Sequence, residues 1–179
     1  MKLRHLFFAC SGVFVMMFSL LLLVVIVFSD EEDGGSGGNL IYGGVSVSQE
    51  VLAHKPMLEK YAREYGIEEY LNVLLAIIQV ESGGTLEDVM QSSESLGLPP
   101  NSLSTEESIK QGCKYFSELL AAAETKSCDL NSVIQSYNYG GGFLDYVAGR
   151  GKKYTFELAE SFARDKSGGK KVTYTNLLP

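Results

Sequence analysis

The chain has no tryptophan, two histidines, three cysteines and four prolines among its 179 residues. Each shortage narrows what it can be. Without Trp, any aromatic stacking surface must come from its ten Tyr and nine Phe. So few His and Cys, with no Cys–His spacing pattern, give no support for a zinc site. The acidic run Asp30-Glu31-Glu32-Asp33 lacks the alternating ligand spacing of a calcium loop and reads as solvated linker. No metal and no cofactor are expected. Positive charge is short too: from Asp30 onward, 13 Lys and Arg stand against 22 Asp and Glu, a formal charge of −9. That argues against binding nucleic acid through phosphate contacts. Convincing runs of period-two alternation are also missing, so the fold class is read as mostly α. No internal repeat is apparent.

The composition divides the chain. Lys2, Arg4 and His5 precede Leu6–Phe28, a run of apolar and small residues without charge. As a helix at about 1.5 Å per residue, it is long enough for a hydrocarbon core of roughly 30 Å. The basic flank stays in the cytoplasm, so the remainder is expected on the outer side of the membrane. A cleaved signal peptide and an uncleaved anchor compete for this segment. Its length and the lack of a small-x-small cleavage site favour the anchor. Cys10 is not read as a lipidation site, because the apolar stretch follows it. Residues 1–29 are thus assigned to an anchor and 30–45 to an acidic, Gly-rich linker. A folded domain over 46–166 and a tail over 167–179 complete the division.

Within the domain, Ser48 is a plausible cap for a first helix running to about Tyr65, kinked or restarted at Pro56. Glu68 to Glu81 reads as a second helix, and Thr85 as the cap of one or two turns with Leu86, Val89 and Met90 inward. Ser104 and Glu107 have capping-box spacing. Asp129 caps a helix that Gly140-Gly141-Gly142 breaks. Phe143–Ala148 and Thr155–Asp165 supply the last two helices. The separation of Cys113 and Cys128 fits either a disulfide, permitted outside the membrane, or two independent buried thiols.

The most apolar stretch of the domain, Val73–Val80, ends in Glu81-Ser82-Gly83-Gly84. Ile77 and Ile78 lie one turn behind Glu81. Desolvation and the negative end of the helix dipole both raise the pKa of such a carboxyl. A carboxylic acid protonated near neutral pH suits a general acid. The bland alternative is a frayed, solvated glutamate. Two further polar islands follow, Met90-Gln91-Ser92-Ser93-Glu94-Ser95 and Gln135-Ser136-Tyr137-Asn138-Tyr139-Gly140-Gly141-Gly142. All three stand where groups at the lip of a groove are expected, on a rigid scaffold.

In their order, these strings resemble the lysozyme-like fold of soluble lytic transglycosylases and goose-type lysozymes. More closely, they resemble the muramidase domain of bifunctional cell-wall hydrolases of Gram-positive bacteria, some encoded on conjugative transposons. The resemblance covers roughly Ser48 to Phe162. It implies that Glu81 is the proton donor to a glycosidic oxygen and that Gln91 is a groove residue. Ser92, Ser93 and Glu94 match the family's segment after it, and Tyr137 and Asn138 its Tyr-Asn pair. Ser82 and Tyr139 belong to the same strings and are expected to meet substrate. One departure is Asp88-Val89, where transglycosylases usually carry Gly-Leu. No cysteine-peptidase half is expected, since neither Cys113 nor Cys128 has a His partner in a peptidase-like context.

The implied substrate is the peptidoglycan glycan strand, cut at the β-1,4 bond after N-acetylmuramic acid. Besides an acid, that reaction needs a group opposing the oxocarbenium-like charge. Glu94 is the best second carboxylate, with Asp88 and Glu87 behind it; its bland role is a hydrogen bond within the loop. If no carboxylate serves, attack by the N-acetyl oxygen or the 6-hydroxyl of the sugar remains, the latter giving a 1,6-anhydro product. Tyr137 also reads as a core residue and Asn138 as a left-handed helix end. Ser92 and Ser93 lack a His partner, which argues against a serine nucleophile. The competing class is a catalytically idle peptidoglycan-binding scaffold of a secretion or conjugation apparatus, and a small helical adaptor is a third.

Overall fold

Val73 through Ile78 are all buried, and the helix that carries them, Leu71–Glu81, is the one around which the others assemble. In the computed structural model, residues 40–42 and 45–167 are described. Two short antiparallel strands open them, β1 (Leu40–Tyr42) and β2 (Val45–Val47), in the register Leu40↔Val47, Ile41↔Ser46, Tyr42↔Val45. Seven helices follow: α1 (Gln49–Ala53), α2 (Lys55–Glu64), α3 (Leu71–Glu81), α4 (Thr105–Lys126), α5 (Leu130–Tyr139), α6 (Gly142–Ala148) and α7 (Phe156–Lys166). Single 3₁₀ turns at Glu68–Tyr70 and Ser92–Leu96 complete the set.

Local chemistry accounts for most of the helix starts. The Ser48 hydroxyl accepts from Val51 N–H at 3.3 Å and starts α1. The chain restarts at His54, with Pro56 in the first turn of α2, where its missing N–H removes no helix bond. The Ser104–Glu107 capping box starts α4. The Asp129 and Thr155 side chains accept from Ser132 N–H and Leu158 N–H to start α5 and α7.

The layers follow from these helices. α3 packs against α1, α2 and β2, while the long α4 bridges α2 to α5 and α6. A second apolar cluster of Phe143, Val147, Ala159 and Phe162 joins α6 to α7. The mostly helical class expected from the sequence is what forms.

Three expectations are corrected. The hairpin places strands where none was read, with β1 and Val45 inside the stretch assigned to linker; three-residue strands are too short to show a period. Thr85 caps no helix, because its hydroxyl donates back to Ser82 O at 2.9 Å, and Leu86 is exposed while Val89 and Met90 are buried. The short turn begins instead at Ser92, where the Asp88 carboxylate accepts the N–H groups of Ser92 and Ser93. Of the two readings of the cysteines, the thiols hold: Cys113 and Cys128 are both free, Cys113 buried and Cys128 half-buried. The anchor expected over 6–28 and nearly all of the tail lie outside the described residues, among which no helix is long and apolar enough to cross a membrane.

Candidate active site

The end of α3 is held from several sides. Gly83 and Gly84 adopt left-handed φ values of +61° and +79°. A Cβ on Gly84 would stand 2.7 Å from the Glu50 carbonyl carbon and the Val51 nitrogen, so only glycine lets this turn lie against α1. Ser48 donates its N–H to Gln79 Oε1 at 2.7 Å and its hydroxyl to Gly83 O at 3.3 Å. His54 Nε2 donates to Gly84 O at 2.9 Å. The last turn of α3, and with it Glu81, is fixed.

Glu81 opens on a cleft of about 290 Å³. Its far walls are Gln91, Ser92, Glu94 and Ser95 from the loop before α4, and Tyr137 through Gly140 from the end of α5. Burial pushes the Glu81 carboxyl up to about 8, and the negative charges of Glu94 and Asp88 add to the shift. At neutral pH the group is a carboxylic acid able to give a proton.

The loop opposite is anchored by Asp88, which is fully buried. Its Oδ1 accepts from Ser92 N–H at 2.9 Å and from the Ser108 hydroxyl at 2.6 Å, and its Oδ2 from Ser93 N–H at 3.2 Å. Ser108 in turn accepts Met90 N–H at 3.0 Å, and the Ser92 hydroxyl donates to Ser108 O at 2.9 Å. The first turn of α4 thus fastens the whole 88–93 segment. Gly112, in the next turn, allows the close approach: a Cβ there would lie 2.5 Å from Met90 Sδ and 2.9 Å from the Tyr137 hydroxyl.

Seven of the nine residues singled out in the sequence line this cleft: Glu81, Gln91, Ser92, Glu94, Tyr137, Asn138 and Tyr139. Ser82 and Ser93 do not. The Ser82 hydroxyl lies 2.8 Å from Val89 O and accepts Gly84 N–H at 3.0 Å, so it serves the turn. Ser93 is wholly buried beneath the loop. Each helical residue turns about 100° from the last, so a neighbour in sequence to a cleft residue need not face the cleft. Of the reserve carboxylates, Asp88 is engaged in holding the loop, and the exposed Glu87 is not in the lining.

Tyr137 both lines the cleft and packs in the core. It is buried, its ring lies 5.5 Å from that of Tyr115 and 6.5 Å from that of Phe116, and its hydroxyl donates to Met90 O at 3.1 Å. Burial, then the Glu81 charge, keeps that hydroxyl far above its ordinary pKa. Asn138 is helical; the positive-φ residue ending α5 is Gly140, at φ +83° and ψ +158°. Tyr139 stacks on Phe162 at 5.6 Å and joins the cleft to the second apolar cluster.

Tyr115, on α4, is a lining residue that the sequence reading passed over. Burial raises the pKa of its hydroxyl, and the nearby Gly141 backbone partly offsets that rise. Its signal was available: position 115 lies three and four residues from Gly112 and Leu119, on the buried side of α4. Among the described residues, no group of three His, Cys, Asp or Glu is arranged to hold a metal ion.

Comparison with known proteins places the chain among cell-wall proteins and their relatives by sequence and by fold. The bifunctional muramidase/DL-endopeptidase CwlT of Bacillus subtilis is 44% identical over 124 residues, 69% of this chain and 37% of that protein. An uncharacterized membrane protein of the same organism, YocA, is 37% identical over 67% of this chain and 54% of its own length. A pneumococcal vaccine antigen A homolog of Streptococcus pyogenes is 38% identical over 65% and 59%. The chain therefore spans from about a third to under two thirds of the length of these relatives. The crystal structure of a Staphylococcus aureus protein described as similar to lipoprotein, NLP/P60 family, superposes with a TM-score of 0.72 at 72% identity, over 73% of this chain and 44% of that one. The lysozyme-like family model matches residues 48–178, which takes in all three polar islands, and the chain belongs to that family.

Proposed function

We propose that this chain is a peptidoglycan glycosidase that cleaves the β-1,4 bond between N-acetylmuramic acid and N-acetylglucosamine, with Glu81 as general acid. The observation that carries this reading is Glu81 itself: a carboxyl raised to about 8, opening on the cleft of a lysozyme-like domain. The neutral acid protonates the departing glycosidic oxygen, and the apolar end of α3 keeps it neutral until it does so. The similarity to a protein named as a muramidase supports the same substrate.

Glu94 lines the same cleft and is near enough for its charge to act on Glu81, so we assign it the opposing role, as nucleophile or as base toward water. A second reading has two observations in its favour. Glu94 is exposed, and Asp88 is engaged in the loop, so the sugar's own 6-hydroxyl is the alternative attacking group. Tyr115, Tyr137 and Tyr139 supply aromatic surface in a chain without Trp. In the cell, the apolar run over 6–28 would hold the domain at the outer face of the membrane, facing the wall, or release it if cleaved. There it would open glycan strands locally, alone or with a conjugation or secretion apparatus.

The experiment is digestion of purified peptidoglycan by the chain, with mass analysis of the products. Hydrolysis by Glu81 and Glu94 leaves reducing N-acetylmuramic acid ends. Products carrying 1,6-anhydro ends support the second reading. Binding without any cleavage supports the scaffold alternative and overturns both.

A further inference from the structure

Gln91 lines the cleft in a left-handed conformation, φ +47° and ψ +39°, which a residue with a side chain seldom adopts. Three hydrogen bonds hold it there. Its backbone N–H donates to Asp88 O at 3.0 Å, and its side-chain Nε2 donates to Asp88 O at 2.8 Å and to Asn101 Oδ1 at 2.7 Å. A backbone carbonyl can only accept, so the amide atom facing Asp88 O must be the nitrogen, and the Asn101 atom facing that nitrogen must be the oxygen. Both amide hydrogens of Gln91 are then engaged. Its carbonyl oxygen is left to accept, and it can offer nothing in return.

Asn101 is well placed for this task. It stands at φ +58° after Pro99-Pro100, ten residues beyond Gln91, in the segment that leads into α4. Its side chain is the only part of that segment bonded to Gln91 among the described residues. We propose that Asn101 is a positioning residue of the cleft: by taking one amide hydrogen of Gln91, it fixes the Gln91 carbonyl oxygen as an acceptor for a hydroxyl or amide hydrogen of the bound glycan. This rests on the reading that a glycan occupies the cleft. It separates ligands by the direction of a hydrogen bond, since a sugar carrying only an acceptor at that place is refused.

Two substitutions test it in the full chain. Asn101→Gly keeps the left-handed backbone and removes the acceptor, whereas Asn101→Asp keeps an acceptor oxygen. On solubilised glycan strands, Asn101→Gly is expected to raise KM roughly tenfold with kcat little changed, and Asn101→Asp to restore most of the loss. The ¹H–¹⁵N resonances of the Gln91 side-chain amide supply a readout independent of activity: one of the two protons moves upfield in Asn101→Gly and returns in Asn101→Asp. An unchanged KM in Asn101→Gly beside an active wild-type chain overturns this proposal alone. So does an unchanged Gln91 amide. A wild-type chain that neither binds nor cleaves glycan overturns the glycan reading and this proposal with it, even if the amide signal moves.

Discussion

The hydroxyl of Tyr137 donates to the carbonyl oxygen of Met90 at 3.1 Å, joining the end of α5 to the loop that carries Gln91 and Glu94 across 47 residues of sequence. The bond is buried, and it ties together two of the three segments that form the cleft. Tyr137→Phe leaves the Met90 carbonyl without its partner. The expected cost is about 1–3 kcal/mol of stability, read as a lower denaturant midpoint, together with reduced turnover as the loop loosens.

Replacement of Gly84 acts on the opposite wall. Gly84→Ala places a methyl group 2.7 Å from backbone atoms of Glu50 and Val51 at φ +79°, so both the contact and the conformation are unfavourable. A loss of about 1–3 kcal/mol is expected. Backbone cannot yield as a flexible side chain would, so the turn must move and carry Glu81 with it. Thermal unfolding and glycan cleavage should therefore fall together.

How much of this could be read from the sequence depends on how local each cause is. The starts of α1, α4 and α5 are written in Ser48, Ser104 with Glu107, and Asp129, each within three residues of the N–H it serves. Glu81 was legible because the apolar residues that desolvate it lie on its own helix. The Ser92–Leu96 turn was not, because its first N–H groups go to Asp88, a residue that reads as an ordinary loop acid until its burial is seen. Tyr115 and Asn101 act only through residues that the fold brings to them. Ser82 and Ser93 belong to the same strings as cleft residues, but in the fold the Ser82 hydroxyl serves the turn and Ser93 is buried, so neither lines the cleft.

The alkaline limb of activity should follow Glu81. Its folded value of about 8 lies above the unfolded 4.5, so the fold holds the proton more tightly than the unfolded chain does. A reaction that needs the acid form is then lost as pH rises through about 8. Glu94→Gln removes one of the charges that raises Glu81, and the limb of any residual activity should move to lower pH.

Stability carries the same sign. The contribution of the Glu81 proton is fully present below about 4.5 and is lost as pH climbs toward 8. Glu81→Gln, neutral at every pH, should gain on wild type by more at pH 9 than at pH 5. At about 1.4 kcal/mol per pKa unit, the gain is a few kcal/mol at most. Thermal denaturation at the two pH values measures it; an equal difference at both would show that burial does not perturb Glu81.

The most direct measurement compares wild type with Glu81→Gln on purified cell wall, following loss of turbidity at pH 6–7, with both proteins shown by circular dichroism to be equally folded. Wild type should clear the wall, and the variant should do so at least about a hundredfold more slowly, the smallest loss expected when a general acid is removed. Equal clearing by the two proteins would contradict the account.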